Sequence, residues 1–259
     1  MKNKILSFIR FILVVIILVC LVILGRRGYD YWTNIKNNKH IAGLIEESEK
    51  QAGDDKDKDA NLDPEAKFKK LEKQNLYLLK KFKEENKDVV AVIEIPGTAI
   101  KYPVLHADDN QFYLRKGLNK QYDIAGSIFM DTNNSPDLSD DNTVIYGHHL
   151  ELESMFTPLD QYRKQEFAEK HRTLYVTTEE GLREYQIFSA YGIPSDYDYR
   201  TLEFMYDADK VPYFKKLKDN SEVKLETRDF TEDDSIITLS TCQYDYYDQR
   251  LAVHAVRIR

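Results

Sequence analysis

Cysteine is scarce in this chain. There are two in 259 residues, Cys20 and Cys242. Cys20 sits in a greasy N-terminal stretch; if that stretch lies in a bilayer, no bridge to Cys242 can form, and a disulfide framework is excluded. A single leftover thiol in an exported chain pairs between chains, stays free and reactive, or is simply a buried structural cysteine. Histidine is also sparse. The six (His40, His106, His148, His149, His171, His254) fall in no zinc-ligand spacing. Positive charge is not in excess: 37 Lys and Arg against 44 Asp and Glu leave a net charge of −7 with no basic stripe, which excludes nucleic acid as a partner. The acidic residues are spread out and form no calcium loop, so neither a metal nor a cofactor is expected. No internal repeat or low-complexity block of structural size occurs.

What the chain does have begins at its N-terminus. Ile5 to Gly25 is almost wholly apolar, broken by Ser7 and Arg10. The uninterrupted core, Phe11 to Leu24, has the length of a signal-peptide h-region. No small-x-small cleavage site follows it, because the run ends Leu24, Gly25, Arg26, Arg27. Adding ILSFI gives about the 20 residues that cross a bilayer, with Arg10 able to snorkel to the headgroups. Val19 is larger than the residue that lipoprotein processing at Cys20 favours. Residues 1–27 therefore read as an uncleaved signal anchor, a single transmembrane helix. Its orientation stays open, since Lys2, Lys4 and Arg10 on one side face Arg26, Arg27, Lys36 and Lys39 on the other.

Residues 28–62 read as a juxtamembrane segment, helical at first without a strong apolar stripe, then the charged linker GDDKDKDANLD. Asp63 followed by Pro64 predicts a helix start: an N-cap side chain, then proline at the first helical position. Phe68, Leu71, Leu78, Leu79 and Phe82 follow at roughly helical spacing, which places the boundary of the folded domain, 63–259, near Asp63. From Val89 the pattern becomes strands: VVAVIEI, TAIKYPVL, SIFMD, NTVIYGHH, RTLYVTT, REYQIFSAYGI, SIITLSTC and RLAVHAVRI. Eight short β-branched runs between polar turns predict a mainly β fold, a closed or nearly closed barrel. The insert between Pro194 and Asp234 carries one amphipathic helix, ADKVPYFKKLKDN.

Cys242 ends a strand, where side chains leave the core and meet ligands. A thiol is a useful nucleophile only as thiolate, which requires a histidine or positive charge nearby. NTVIYGHH supplies the first. His148 and His149 point to opposite faces of an extended chain, so one at most faces a site, and Gly147 leaves room for a substrate or backbone to approach. Surface histidines or a zinc pair are the bland alternatives. Arg250 supplies the second: if the last two strands are antiparallel neighbours, the loop returns Arg250 close to Cys242. There its permanently charged guanidinium can hold an oxyanion or a carbonyl. A surface arginine is the alternative.

In this order, NKDVVAVIEIPGTAIKYPV, DDNQFYL, GSIFMD, NTVIYGHH, TLSTC and RLAVHA resemble a class B sortase across residues 63–259. The resemblance implies an eight-stranded sortase-type β-barrel with N-terminal helices and a helix-containing insert before the cysteine strand. It implies a membrane-anchored cysteine transpeptidase of Gram-positive bacteria, with its catalytic domain outside the cell. Cys242 becomes the nucleophile, His148 the general acid/base and Arg250 the holder of substrate or oxyanion. Asn110, Tyr146 and Ser240 match positions that line the substrate groove. The implied partners are secreted proteins bearing a C-terminal sorting signal and the amine of a lipid-linked peptidoglycan precursor. Two departures bear on the groove: LELES replaces the glycine-containing turn after GH, and Ala91 stands where glycine-tryptophan is common. A membrane-tethered cysteine peptidase and a non-catalytic binding barrel are the competing readings; the papain-type cysteine context is absent.

Overall fold

The computed structural model describes residues 2–52, 63–149, 154–194, 197–243 and 249–259, without the side chains of 2–4, 242 and 243. The linker segment 53–62, most of the LELES turn and the loop 244–248 lie outside the described residues.

Helix α1 runs unbroken from Lys2 to Ala52. Its first half is exposed apolar surface. Among the described residues it is the one helix long and apolar enough to cross a membrane. Its second half is different. Asn34, Ile41 and Ser48 are buried, and their seven-residue spacing puts them on one helix face. That face begins polar, with Asn34 and Asn37, and turns apolar only at Ile41, Leu44 and Ile45, so no long apolar stripe marks it in the sequence. Asn34 and Asn37 donate from Nδ2 to the two carboxylate oxygens of Asp123 at 3.2 and 2.6 Å. Packing against the barrel therefore begins at Asn34, well before residue 63.

Helix α2, Pro64–Glu85, starts as its cap residues demand: the Asp63 carboxylate accepts from the Ala66 N–H at 2.8 Å. Leu78, Leu79 and Phe82 are buried against the barrel, each worth roughly 1.5–3 kcal/mol. Phe68 is only half-buried, edge-on to Tyr175 and under the Arg259 guanidinium.

Eight strands follow: β1 (Val89–Glu94), β2 (Lys101–Leu105), β3 (Ile128–Met130), β4 (Asn142–Gly147), β5 (Thr173–Thr178), β6 (Gly181–Pro194), β7 (Ile236–Gln243) and β8 (Gln249–Arg257). They close into a barrel in the order β1-β2-β3-β4-β7-β8-β6-β5. All neighbours are antiparallel except β2/β3 and β4/β7. The turn after β1 is Pro96-Gly97. Gly97 has φ +77°, and a Cβ there would lie 2.7 Å from the His171 ring, so geometry and space both require glycine. A one-turn helix, α3 (Gln165–Lys170), follows a 3-10 stretch at Thr157–Arg163 between β4 and β5.

Alternation sorts the site-bearing strands into two faces. Ile237, Leu239, Leu251, Val253 and Ala255 point into the barrel core. Ile236, Ala252 and Val256 point outward under the insert. Strand β6 also serves both clusters, with Ile187 and Ala190 inside and Phe188, Tyr191 and Ile193 outside, and its pairing with β8 shifts register between Ile187 and Ser189. Helix α4 (Lys210–Asp219) lays Tyr213, Phe214 and Leu217 on that outer face with Phe188 and Phe230. Lys210 pins its start through Asp141 at 2.7 Å and the Glu232 carbonyl at 2.9 Å.

Candidate active site

Strand register brings positions 148, 242 and 250 into one row. In the parallel β4/β7 pair Gly147 faces Thr241; in the antiparallel β7/β8 pair Cys242 faces Arg250. His148 follows Gly147 and extends the row one step. Position 242 is thus flanked by the histidine strand on one side and the arginine strand on the other. Neighbouring strands lie about 4.8 Å apart.

His148 is half-buried, and its Nε2 lies 2.6 Å from the Leu114 carbonyl oxygen. A carbonyl only accepts, so Nε2 carries the hydrogen and donates it. Nδ1 is then the basic nitrogen of the neutral ring. Burial pushes the imidazole below its usual 6.5, and the charges of Arg115 and Arg250 push the same way. The adjacent His149 turns to the other side, where Nε2 meets Asp160 Oδ2 at 2.5 Å. Gly147 serves a purpose other than substrate approach. A Cβ there would stand 2.5 Å from Ile128 Cδ1 and 2.6 Å from the Phe156 ring. The barrel interior, not a ligand, fills the space that the missing side chain leaves.

His148 and Arg250 line a cleft of about 290 Å³ together with Asn110, Gln111, Leu114, Phe129, Tyr146, Gly147, Arg200, Ser240 and Thr241. Asn110 and Tyr146 converge on one acceptor: Asn110 Nδ2 and the Tyr146 hydroxyl donate to Asp131 Oδ2 at 3.0 and 2.8 Å. Asn110 Oδ1 also accepts the Thr132 N–H at 2.9 Å. Burial and the Asp131 charge hold the Tyr146 phenol well above its usual range. Ser240 is buried, its hydroxyl 2.9 Å from that of Tyr199. A neighbouring hollow of about 360 Å³ shares Tyr146 and Arg200 and continues along Asp131, Asn133, Tyr197 and Thr201. Among the described residues, no three His, Cys, Asp or Glu side chains gather as a metal site.

Several lining groups escaped the sequence reading. The Leu114 carbonyl is a backbone atom and leaves no mark in the sequence. Arg200 sits in the insert without a motif. Asp131 was readable only as the end of the strand SIFMD. The Thr241 hydroxyl is buried, has no hydrogen-bond partner among the described residues, and lines the cleft.

A closed eight-stranded barrel that carries a cysteine and an arginine on paired strands, with a histidine just past the end of the neighbouring strand, has the groups that a thiol enzyme needs. The comparisons narrow the class. The sortase domain family matches residues 93–258, and the chain belongs to the sortase family. It is similar to sortase B of Staphylococcus aureus (strain NCTC 8325 / PS 47), with 33% identity over 75% of this chain and 84% of the relative. It is similar to sortase B of Listeria monocytogenes (serovar 1/2a), with 36% identity over 68% of this chain and 72% of the relative. Among solved structures, Clostridium perfringens sortase B superposes with TM-score 0.66 at 31% identity, covering 70% of this chain and 99% of that one. A Staphylococcus aureus sortase B–substrate complex gives TM-score 0.66 at 34% identity, covering 70% and 85%. The chain is a sortase-type cysteine transpeptidase of class B.

Proposed function

We propose that Cys242, His148 and Arg250 carry out the transpeptidation, that the acyl donor is a C-terminal sorting signal of secreted proteins, and that the acceptor is an amine of the peptidoglycan precursor. The observation that carries this reading is the row across β4, β7 and β8, with Cys242 paired to Arg250 and His148 one step beyond Gly147.

The chemistry follows from the groups in the row. His148 Nδ1 takes the Cys242 thiol proton as the sulfur attacks the scissile carbonyl. The Arg250 guanidinium stabilises the oxyanion; a donor in that role contributes about 3–4 kcal/mol to the barrier reduction. Burial and two guanidinium neighbours disfavour the imidazolium, so it readily protonates the departing amine as the C–N bond breaks. A thioester remains. The incoming amine attacks it, His148 accepts the amine proton, and the thiol is released with the new amide. The thioester keeps its acyl energy, which lets an amine compete with water, and ping-pong kinetics are the signature. Tyr146, Asn110, Ser240 and Arg200, with Asp131 behind them, form the wall on which the sorting peptide lies. The apolar first half of α1 anchors the enzyme in the membrane as a single span, with the barrel outside.

The test is cleavage of a panel of NPxTx- and xPxTG-type peptides, with products followed by mass spectrometry with and without an added amine, beside Cys242→Ala. Amine-ligated product that depends on Cys242 is expected. Hydrolysis alone, however much amine is supplied, favours a tethered peptidase; turnover that survives Cys242→Ala overturns the assignment.

A further inference from the structure

The helix that enters the membrane does not stop there. The apolar run of α1 ends at Leu24 and Gly25, and the first residue buried against the barrel is Asn34, on the same unbroken helix. Ten residues at 1.5 Å each carry the chain about 15 Å. The headgroup layer occupies about 5–8 Å of that, from a hydrocarbon core near 30 Å and a whole bilayer of 40–45 Å. The barrel's contact with α1 thus starts within about 10 Å of the lipid surface. Tyr29, Tyr31 and Trp32 fill the interval and are exposed at 63, 51 and 56%, the residue types that settle at headgroup level.

What Asn34 and Asn37 hold is Asp123, at the end of the turn that begins at Gly117. The next residue back, Tyr122, is half exposed at 50%. Lys116 pairs with Tyr122 across the turn, and Arg115 is exposed beside it, its guanidinium on the Ile124 carbonyl. An amphipathic aromatic and the exposed Arg115 therefore stand next to the point where the helix grips the barrel, with the Lys116 ammonium nearby over the Phe112 ring at 3.8 Å.

We propose that the 115–124 segment is a membrane-surface contact, resting on an anionic bilayer with Tyr122 at headgroup level. In this arrangement α1 is a rigid mount that sets the height of the cleft. The proposal rests on the reading of residues 5–25 as a membrane span. It deepens the functional reading, because the residues immediately before this segment, Gln111 and Leu114, belong to the cleft wall. The cleft then opens beside the lipid surface, within reach of a lipid-linked acceptor.

Trp32 is the only tryptophan in the chain, which makes the test clean. The full-length protein goes into phosphatidylglycerol-containing vesicles that carry a nitroxide quencher on the lipid headgroup. The native chain reports the span through Trp32; a Trp32→Phe, Tyr122→Trp chain reports the contact. Quenching of both reporters is expected. A seven-residue helical insertion after Trp32 lifts the barrel by about 10 Å and turns it by only about 20°. It should abolish quenching at position 122 and leave Trp32 quenched in the otherwise native chain. Trp32 quenched and position 122 unquenched in the uninserted chain overturns the contact while the span stands. Trp32 itself unquenched overturns the span reading and the proposal together. Quenching at 122 that survives the insertion overturns the mount.

Discussion

Acid should loosen the wall beneath the cleft through one residue, His254. It lies fully buried on β8 between Phe188 and Tyr191. Thr238 gives its only hydroxyl hydrogen to Asn142 Oδ1 at 2.8 Å, so it must accept from His254 Nδ1–H at 2.9 Å. Nε2 in turn accepts from the Tyr191 hydroxyl at 3.0 Å. The ring is neutral, with both nitrogens used, and it links β4, β7, β8 and β6. Burial pushes its pKa from 6.5 down to about 3. The folded state refuses a proton that the unfolded chain accepts below 6.5, so this stability is complete above 6.5 and drains away as the pH falls toward 3. At pH 5 the loss is 1.5 pH units at 1.36 kcal/mol each, about 2 kcal/mol. Any folded value below 4 gives the same figure there. Urea titrations at pH 7 and pH 5, in detergent, compare the native chain with His254→Gln, whose carbonyl can still accept from Tyr191. The native chain should lose about 2 kcal/mol more than the variant between the two pH values. Equal losses would refute the argument, because the other five histidines are common to both chains.

Three further outcomes follow from the site. Gly147→Ala forces a methyl group against Ile128 and Phe156; it should destabilise the fold by about 1–3 kcal/mol, read as a lower urea midpoint, and it should depress turnover by shifting His148. Arg250→Gln removes a positive neighbour and should raise the His148 titration midpoint, followed by NMR of labelled histidine, while burial keeps it below 6.5; a fall would contradict the charge argument. Arg250→Ala should lower kcat by about 10²–10³, and Arg250→Lys should recover only part of this, because an ammonium keeps the charge without the planar fork; full recovery by lysine would mean that charge alone suffices.

Short β-branched runs bounded by turn residues made the strands legible, because each strand had to bury one face in the barrel and alternation records that demand. The N-cap of α2 was legible because Asp63-Pro64 answers a local requirement of any helix start. Legibility failed wherever a role depends on another segment. The second half of α1 begins its docking through Asn34 and Asn37 on the Asp123 carboxylate and only then adds Ile41, Leu44 and Ile45, and a seam that starts polar has no long period that hydrophobicity can report. Gly147 looked like an opening for substrate because its neighbours in the sequence are site residues; its neighbours in space are Ile128 and Phe156. The same contrast separates the two kinds of site residue. Cys242 and Arg250 are joined by a hairpin, so sequence distance itself brought them together. His148 joins them only because β4 and β7 pair in parallel, a long-range choice made by closure of the barrel. Its proton is positioned by the carbonyl of Leu114, thirty-four residues away in the chain. A backbone carbonyl is the same in every residue, so the group that decides which nitrogen of His148 is basic is one that side-chain identity does not encode.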